Sequence, residues 1–351
     1  MASQRYPHVN GRGQPGGGGL TRRGLLAGTI GAMLLAACGD GAGSDEISSV
    51  AAPQETATTG FPITVSHRYG ETTVPSAPRR VLSLSYTDHD VLLALGMVPV
   101  GIQQWFPDLT TGVGPWATDR LGGAKPELFL GAEIDIEQAA ELAPDLITVI
   151  QRDLTEEVYS RLSQIAPTIA APEGFLPFGV PWKDQALLLG RALGKEDEIA
   201  RVVAGVDAKF ADARQQHPAF AGKTVVVGLA GNEAQLFAYA KQDARIRFME
   251  ALGFTLAPAI DALERERFYA TISREQIRLL DADVLIWLSA TPAAFEPLKS
   301  DALLQQLDVA KRGDVIYVAN GDLVKAFSSS TVLSLPYAID TFLPQLASVV
   351  S

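Results

Sequence analysis

Residues 80–102 read RVLSLSYTDHDVLLALGMVPVGI, and this stretch predicts the class of the fold. Its apolar run Val81–Leu84 is typical of a buried strand. Thr87 then caps a helix that ends at Gly96, and Val98–Ile102 forms the next short strand. A strand, a helix and a strand in this order predict a parallel sheet with right-handed crossovers.

A second copy of such a unit occurs later in the chain. Glu137 stands eight positions before Asp145, the residue that opens an apolar strand. Glu275 stands at the same distance before Asp283, which opens another. We interpret the two phrases as copies of one α/β unit. The alternative is a chance similarity between short α/β phrases.

A helical segment lies between the two copies. Lys183–Leu193 predicts one helix, and the apolar stripe from Ile199 to Ala213 predicts a longer one over Lys195–His217. That helix would be about 34 Å long. We therefore predict an α/β fold of two similar lobes, with mainly parallel sheets, joined by one long spanning helix. The predicted divisions are an export signal (1–37), a flexible tether (38–60), an N-terminal α/β lobe (61–181), a helical connection (182–217) and a C-terminal α/β lobe (218–351).

The N-terminus carries the pattern of an export signal. Arg22 and Arg23 precede a short apolar segment, which ends in small residues at Cys38. This segment is too short for a stable transmembrane helix. The paired arginines resemble a twin-arginine signal, and Leu-Ala-Ala-Cys resembles a bacterial lipobox, in which Cys38 is acylated and becomes the mature N-terminus. The alternative is that Cys38 is a buried thiol.

The overall composition excludes several classes of function. The chain of 351 residues has 29 basic and 40 acidic side chains, for a net charge of −11. An acidic body argues against nucleic-acid binding and against a basic membrane-binding face. Cys38 is the only cysteine, so no disulfide can form within the chain. The segment that follows Cys38 is polar and lacks a periodic apolar pattern, which predicts a flexible tether.

Several phrases, read with the central helix and the lipobox, resemble the iron–siderophore and cobalamin family of ABC-transporter substrate-binding proteins. The phrases are Tyr86–Asp90, Leu92–Gly101, Glu137–Ile147, Arg274–Ile286 and Ser330–Pro336. The resemblance covers about residues 61 to 350. It implies the class III architecture of periplasmic binding proteins: two lobes with a ligand cleft between them and little closure on binding.

Candidate ligand-binding residues follow from the expected position of the cleft. In α/β lobes a ligand lies beyond the carboxyl ends of the strands. A ferric siderophore is a bulky chelate whose iron is already coordinated, so a binding site needs arginines and aromatic surface instead of metal ligands. The sequence also predicts a hairpin flanked by Asn232 and Tyr239. The candidates at strand exits, in long connections or near helix starts are Tyr86, Trp105, Trp116, Arg152, Tyr239, Arg245, Arg247, Tyr269 and Phe327. The arginines have an alternative interpretation as solvated surface charges.

Other side chains are assigned to the core or to a docking surface. Trp287, Phe248 and Phe254 are predicted to be core residues. By the resemblance, Glu137 and Glu275 are the glutamates on top of each lobe that form salt bridges with permease arginines. The alternative is that each complements the dipole at the start of a helix.

Direct metal binding and catalysis have little support in the sequence. No two of the four histidines have the spacing of metal ligands, and no nucleophile elbow or phosphate loop is present. In the phrase Asp88-His89-Asp90, the acids complement a helix dipole more simply than they suggest catalysis. A rival prediction is an extracytoplasmic hydrolase that uses Ser83 or Ser85 with His89. A further rival is a surface lipoprotein with no role in transport.

We predict an extracytoplasmic lipoprotein that captures a ferric siderophore and delivers it to an ABC importer. Its expected partners are the siderophore, a permease dimer with its ATPase, and the membrane through a lipid on Cys38. No cofactor is expected, because the chelator holds the iron. The protein is expected to be a monomer that is not an enzyme. Haem and cobalamin remain alternative ligands within the same fold.

Overall fold

The computed structural model describes residues 60–232, 235–263, 267–289 and 291–350, apart from the side chains of residues 230–232. The predicted export signal (1–37), Cys38 and the predicted tether, except Gly60, lie outside the described residues. Among the described residues, no helix is both long and apolar enough to cross a membrane.

The N-terminal lobe is built on a five-stranded parallel sheet. After a hairpin of β1 (Ile63–His67) and β2 (Gly70–Val74), its strands are β3 (Val81–Ser83), β4 (Gly101–Gln103), β5 (Glu127–Phe129), β6 (Leu146–Val149) and β7 (Thr168–Ala170). They lie in the order β5-β4-β3-β6-β7. The helices are α1 (Asp88–Ala94), α2 (Ile136–Glu141) and α3 (Glu156–Ser163), with a 3-10 turn at Thr118–Leu121. Strands β3, β6 and β7 are buried at every position, as expected for a parallel sheet that is covered on both faces.

Two helices form the connection to the second lobe. They are α4 (Trp182–Ala192) and α5 (Glu196–Gln216), and they agree with the sequence prediction within one residue at each end. Gly194 separates them in the left-handed conformation, with φ of 64°, which a glycine adopts readily. Helix α5 has 21 residues and is therefore about 32 Å long.

The C-terminal lobe contains a mixed sheet. Its strands are β8 (Thr224–Asn232), β9 (Gln235–Tyr239), β10 (Thr255–Leu256), β11 (Tyr269–Ser273), β12 (Val284–Leu288) and β13 (Val315–Val318). The main path is β11-β9-β8-β12-β13, and β10 pairs with β8. The hairpin predicted before Tyr239 is confirmed, because β9 runs antiparallel to β8. Strand β11 is antiparallel to β9 and so runs in the same direction as β8 and β12.

The helices of this lobe cover the sheet, and α11 is the last element of the chain. They are α6 (Ala244–Ala251), α7 (Pro258–Asp261), α8 (Glu296–Ser300), α9 (Asp308–Arg312), α10 (Gly321–Ser329) and α11 (Ser334–Val349). Shorter 3-10 segments lie at Pro218–Phe220, Arg274–Leu280, Pro292–Phe295 and Leu304–Gln306.

The internal repeat has a structural counterpart at the centre of each sheet. In the N-terminal lobe, Asp145 accepts hydrogen bonds from the backbone of Arg79 and Arg80, at 2.8 and 2.9 Å, just before β3. In the C-terminal lobe, Asp283 accepts bonds from the backbone and the hydroxyl of Thr224, both at 2.7 Å, at the start of β8. Each aspartate therefore ties the start of its own strand to the start of the neighbouring central strand.

One apolar core runs through both lobes. It includes Val81 and Leu146 of the first lobe, Phe210 of the spanning helix, and Phe248 and Ile286 of the second lobe. Phe210 packs edge to face against Phe248, with ring centres 5.6 Å apart. The spanning helix therefore contributes side chains to the same core as both sheets.

Candidate ligand-binding cleft

A row of stacked aromatic rings lies beyond the carboxyl ends of β3 and β4 in the N-terminal lobe. Tyr86 follows β3, Trp105 follows β4, and their ring centres are 5.4 Å apart. Phe178 stacks on Tyr86 at 5.9 Å, and Phe106 on Trp105 at 4.6 Å. All four side chains are half-buried. The carboxyl ends of adjacent parallel strands meet at one edge, so this aromatic wall (Tyr86, Trp105, Phe106, Phe178) lies where a ligand of an α/β lobe is expected.

The backbone of Phe178 is strained. Its φ is 64°, in the left-handed region that bulky side chains rarely adopt. Such strain persists only where surrounding structure enforces it, and it is concentrated at functional sites. Here the loop between β7 and α4 places the Phe178 ring against Tyr86.

Arg152 lies behind the aromatic wall. Its Nη1 donates to the Leu84 carbonyl at 3.1 Å and to Gln103 Oε1 at 2.7 Å, and its Nη2 donates to the Ala132 carbonyl. The guanidinium carbon is 5.4 Å from the centre of the Tyr86 ring, within range of a cation–π contact. Burial lowers the pKa of Arg152, because the charged form loses contact with water.

The C-terminal lobe contributes an arginine stacked on a tyrosine. The Arg245 guanidinium lies 4.2 Å from the Tyr239 ring centre. Asp243 caps α6 and holds Arg245 in a bidentate pair at 3.1 and 3.0 Å, while Ser328 accepts a bond from Nη2 at 2.6 Å. Tyr269 lies directly opposite Tyr239 in the β9–β11 ladder, so the two side chains project from the same face of the sheet.

The two lobes meet at a small cavity of about 30 Å³. Gln151, Phe178 and Val180 line it from the first lobe, and Arg247 and Ser330 are among the lining residues of the second. Arg247 Nη1 donates to the carbonyl of Gly179 across this boundary at 2.9 Å. Burial lowers the pKa of Arg247, although Asp243, Asp184 and Glu250 nearby act in the opposite direction. Phe178 of the aromatic wall belongs to the lining of this cavity, which we call the floor of the cleft.

Two further contacts join the lobes beside the cleft. Asp90 Oδ2, in α1, accepts a bond from the Thr331 hydroxyl and another from Trp116 Nε1 at 2.8 Å. Lys325 Nζ, in α10, lies 2.6 Å from Asp108 Oδ2 in the loop that follows Phe106. These contacts fix how the aromatic wall faces the C-terminal lobe.

Seven of the nine predicted ligand residues lie in two groups and at the boundary between the lobes. Tyr86, Trp105 and Arg152 form one group, and Tyr239, Arg245 and Tyr269 form another, with Arg247 at the floor between the lobes. Of these side chains, Tyr269 has the largest exposed fraction, at 41%, so it has surface to offer a ligand. Arg152 and Tyr239 are buried and contribute mainly by holding and polarising their neighbours.

The other two predicted ligand residues lie elsewhere. Phe327 is 3% exposed, and its ring packs edge to face against Phe248 and Phe342, so it is a core residue that does not line the cleft. Trp116 lies at a separate surface groove of about 470 Å³, where Arg120 and Tyr337 are among its neighbours. Its indole N–H donates to Asp90 Oδ2 at 2.8 Å. The predictions that Trp287, Phe248 and Phe254 are core residues are confirmed.

Sequence reasoning missed three side chains that shape the cleft. Phe178 follows β7 in a loop rich in aromatic residues, proline and glycine, and that loop was the signal that could have identified it. Phe106 is adjacent to Trp105 and shares its stack. Ser328 positions Arg245 from α10, which is 83 residues further along the chain. No local pattern could have revealed this contact.

The Asp88-His89-Asp90 phrase is a buried structural element. Both acids lie in the first turn of α1, as predicted. Asp88 accepts bonds from the Ile150 amide at 3.1 Å and Gln185 Nε2 at 2.6 Å, and burial raises its pKa. Burial lowers the pKa of His89, although the neighbouring carboxyls of Asp90 and Asp88 act in the opposite direction. The phrase therefore anchors α1 to β6 and α4.

The residues of the rival hydrolase prediction do not form a catalytic pair. Ser85 Oγ accepts bonds from the backbone of Gln151 and Thr87. Ser83 Oγ is buried without a hydrogen-bond partner, and within the described part of the chain neither serine is bonded to His89. The described residues also contain no cluster of three or more His, Cys, Asp or Glu side chains that could hold a metal ion.

Glu137 and Glu275 are exposed and occupy matching places. Glu137 lies in the first turn of α2, where Asp135 caps the helix. Glu275 lies in the first turn of the 3-10 segment 274–280, which Ser273 caps. Bonds from its own amide and from the Ser273 hydroxyl lower the pKa of Glu275. Each glutamate follows the carboxyl end of a strand, β5 or β11, that runs parallel to the central strands of its sheet.

Comparison with known proteins agrees with this geometry. The family described as "Periplasmic binding protein" matches residues 81–320. The "Probable siderophore-binding lipoprotein YfiY" of Bacillus subtilis is 31% identical over 267 residues, which cover 73% of this chain and 75% of that protein.

Two solved structures share the fold. A periplasmic solute binding protein from Mycobacterium smegmatis has a TM-score of 0.73 and 34% identity, and the match covers 82% of this chain and 99% of that one. Streptococcus pneumoniae PiaA in complex with ferrichrome has a TM-score of 0.73 and 28% identity, with 82% and 98% covered. The fold of two lobes and a spanning helix is therefore that of class III periplasmic binding proteins. The chain belongs to the periplasmic binding protein family.

Proposed function

We propose that this chain captures a ferric siderophore outside the cytoplasmic membrane and delivers it to an ABC importer. The observation that carries the proposal is the aromatic wall after β3 and β4, whose member Phe178 also lines the cavity between the lobes. The names of the Bacillus subtilis relative and of the PiaA complex refer to a siderophore and to ferrichrome, which supports the same ligand class.

The chemistry of the cleft suits a ligand that brings its own metal coordination. A ferric siderophore presents flat chelate faces and polar oxygens around an iron that the chelator already holds. Half-buried aromatic rings can contact those faces, and arginine guanidinium groups can donate to the oxygens. The protein would then need no cofactor and no metal ligands of its own. This role is one of binding, without a catalytic step.

Delivery would use the two exposed glutamates. Glu137 and Glu275 stand on different lobes, each beyond the carboxyl end of a strand. A permease dimer has two like subunits and would present two equivalent basic sites to such a pair. Exposed ion pairs contribute little affinity, but they orient the encounter and raise its rate. We propose that the monomer docks in this way on a permease that is powered by its ATPase.

Anchoring would follow from the sequence before the folded body. A lipid on Cys38 would hold the protein at the outer face of the cytoplasmic membrane. Residues 39–60 would give the body its reach, because a polar segment of that kind behaves as a flexible chain.

Fluorescence titration with a panel of ligands tests the proposed function. The panel contains ferric hydroxamates, ferric catecholates, ferric citrate, haem and cobalamin. We expect ferric siderophores to quench tryptophan emission, because Trp105 belongs to the aromatic wall. A Trp105→Phe variant should lose most of the quenching, whereas the core residue Trp287 should contribute a constant background.

The same titration separates the alternatives. Binding of haem or cobalamin alone would reassign the ligand within the fold. If no member of the panel binds, the capture proposal is wrong, and a surface lipoprotein without a transport role becomes the better interpretation.

A further inference from the structure

The charge of the cleft differs from the charge of the whole chain. The protein carries a net charge of −11. An acidic body repels an anion at long range, so a site for an anionic ligand needs positive charge that is local and poorly screened. Arg152 and Arg247 supply such charge, one from each lobe.

Arg152 is a buried cation with neutral partners only. It is 4% exposed, and its acceptors are two backbone carbonyls and the Gln103 amide oxygen. Within the described residues no carboxylate is paired with it. Water screens a buried charge poorly, so its field extends through the Tyr86 ring that stands 5.4 Å away. Burial lowers the pKa of Arg152, but a guanidinium in a protein remains protonated.

Arg247 adds a second cation at the floor. Its hydrogen-bonding acceptor among the described residues is the Gly179 carbonyl, and it lines the cavity between the lobes. Three acids lie near enough to affect its pKa. Asp243 is already held by Arg245, Asp184 is exposed, and burial raises the pKa of Glu250. These three acids therefore compensate the positive charge of Arg247 only in part.

Most acids around the cleft are exposed, and the buried Asp88 and Asp90 accept hydrogen bonds, although Asp90 Oδ1 has no hydrogen-bond partner among the described residues. Asp108 and Asp322 pair with Lys325, and their side chains are 66% and 47% exposed, so water screens them. Asp88 lies deeper and accepts bonds from the Ile150 amide and Gln185. Among the described residues that line the cavity between the lobes, the charged one is Arg247, and no acid is present there.

We infer that the cleft selects anionic ferric chelates over neutral and cationic ones, with Arg152 and Arg247 as the selecting residues. This inference rests on the proposed function and narrows its ligand class. An anionic chelate, such as a carboxylate or catecholate complex of Fe³⁺, supplies counter-charge that the protein does not give to Arg152 and gives only in part to Arg247. A neutral chelate leaves Arg152 without compensation and Arg247 with partial compensation, which disfavours its complex.

The test compares dissociation constants for three ferric chelates of different charge. The probes are a ferric tricatecholate, a neutral ferric trihydroxamate and a cationic ferric trihydroxamate, titrated at low and at moderate salt. We expect the anionic complex to bind about ten-fold more tightly or better, with a preference that shrinks as salt rises. Equal or tighter binding of the neutral or cationic complex overturns the inference but leaves siderophore capture intact. If none of the three binds, the proposed function itself fails.

Variants assign the selection to the two arginines. Arg152→Gln and Arg247→Gln should each weaken binding of the anionic chelate by about ten-fold and binding of the neutral chelate by less than about two-fold. Arg201→Gln removes one positive charge from the exposed side of α5 and is the matched control, for which we expect no change in the ratio. Arg247→Gln keeps the test decisive if the buried Arg152 variant folds poorly. A uniform loss for all chelates in both variants would contradict the assignment.

Discussion

Thr331, before the last helix of the C-terminal lobe, donates a buried hydrogen bond to Asp90 in the first helix of the N-terminal lobe. Asp90 also accepts the indole N–H of Trp116 at 2.8 Å. Together with the Lys325–Asp108 ion pair and the Arg247–Gly179 bond, this contact joins the lobes at several points around the cleft. The arrangement suits a protein whose lobes move little on binding.

Removal of the Thr331 hydroxyl should destabilise the fold. Thr331→Val leaves a buried carboxylate with one donor fewer and also removes an acceptor for the amides of Leu333 and Ser334. We expect the free energy of unfolding to fall by about 1–3 kcal/mol, as measured by urea denaturation. Thr331→Ser keeps the hydroxyl and is the control. A valine variant as stable as the serine variant would show that the bond contributes nothing.

Loss of an aromatic ring from the wall should weaken ligand binding. Tyr86→Ala or Trp105→Ala removes one member of the stack, and we expect ferric-siderophore affinity to fall by about 1–3 kcal/mol. Tyr86→Phe keeps the ring and should stay close to the parent protein. The measurement is the dissociation constant from fluorescence or calorimetric titration. Parental affinity in both alanine variants would place the ligand elsewhere.

Charge reversal at the two glutamates that we propose to dock on the permease should separate capture from delivery. Glu137→Arg combined with Glu275→Arg should leave siderophore affinity unchanged and abolish uptake in cells, because repulsion disturbs the encounter more than loss of attraction does. The control combines Glu141→Arg with Glu198→Arg, which reverses two other exposed glutamates and keeps the same total charge. Normal transport by the first pair would refute the docking role. A parallel loss of affinity would mean that the glutamates are structural.

Replacement of Cys38 should release the protein from the membrane. Cys38→Ala removes the sulfur to which a lipid would attach, so we expect the variant to enter the aqueous phase on detergent partitioning, while the parent protein enters the detergent phase. Ser44→Ala lies close by and leaves the Leu-Ala-Ala-Cys motif intact, so it should behave as the parent does. Retention of the Cys38 variant in the detergent phase would contradict acylation at this residue.

The buried His67 should make stability depend on pH. Its Nδ1 accepts a bond from the Tyr69 amide at 3.2 Å, and its Nε2 lies 2.8 Å from the Thr72 hydroxyl, which donates to the Thr168 carbonyl. This pattern requires a neutral ring, and burial lowers the pKa of His67 below its ordinary value of 6.5.

The sign of the effect follows from proton binding. Below pH 6.5 the unfolded chain binds a proton that the folded chain excludes, so the free energy of unfolding should decrease as the pH falls. His67→Asn, which retains an acceptor near Tyr69, should show a smaller decrease in urea denaturation at matched pH values. The part that remains would come from His89, whose pKa is also lowered. Identical pH profiles for the parent and the variant would exclude His67 as a source of the dependence.

The sequence predictions of the fold agreed with the structure where they rested on local properties of the chain. Tyr86 and Trp105 lie next to each other because residues after adjacent parallel strands converge at one edge whatever the rest of the fold does. The repeat and the spanning helix were visible because spacing and apolar periodicity are properties of the chain itself. The structure confirms the two lobes, the helical connection and the hairpin before Tyr239.

The failures concern contacts between distant segments. Phe327 was assigned to the cleft, but the packing of α10 against Phe248 and Phe342 decides which way its ring faces. Trp116 lies in a connection without periodicity, and its place was set by Asp90. The partners of Arg152 come from residues 84, 103 and 132, which no spacing rule connects. Long-range packing, which a sequence pattern does not encode, determines the positions of these side chains.

The continuous core gives this two-lobed protein the thermodynamics of a single domain. Because Phe210 and other buried residues of α5 belong to the same apolar cluster as side chains of both sheets, we expect that neither half melts without exposing apolar surface of the other. We expect one calorimetric transition, with a van't Hoff enthalpy equal to the calorimetric enthalpy. A fragment cut at either end of the helical connection would lose part of its own interior. We therefore expect that the two similar halves do not fold as autonomous units.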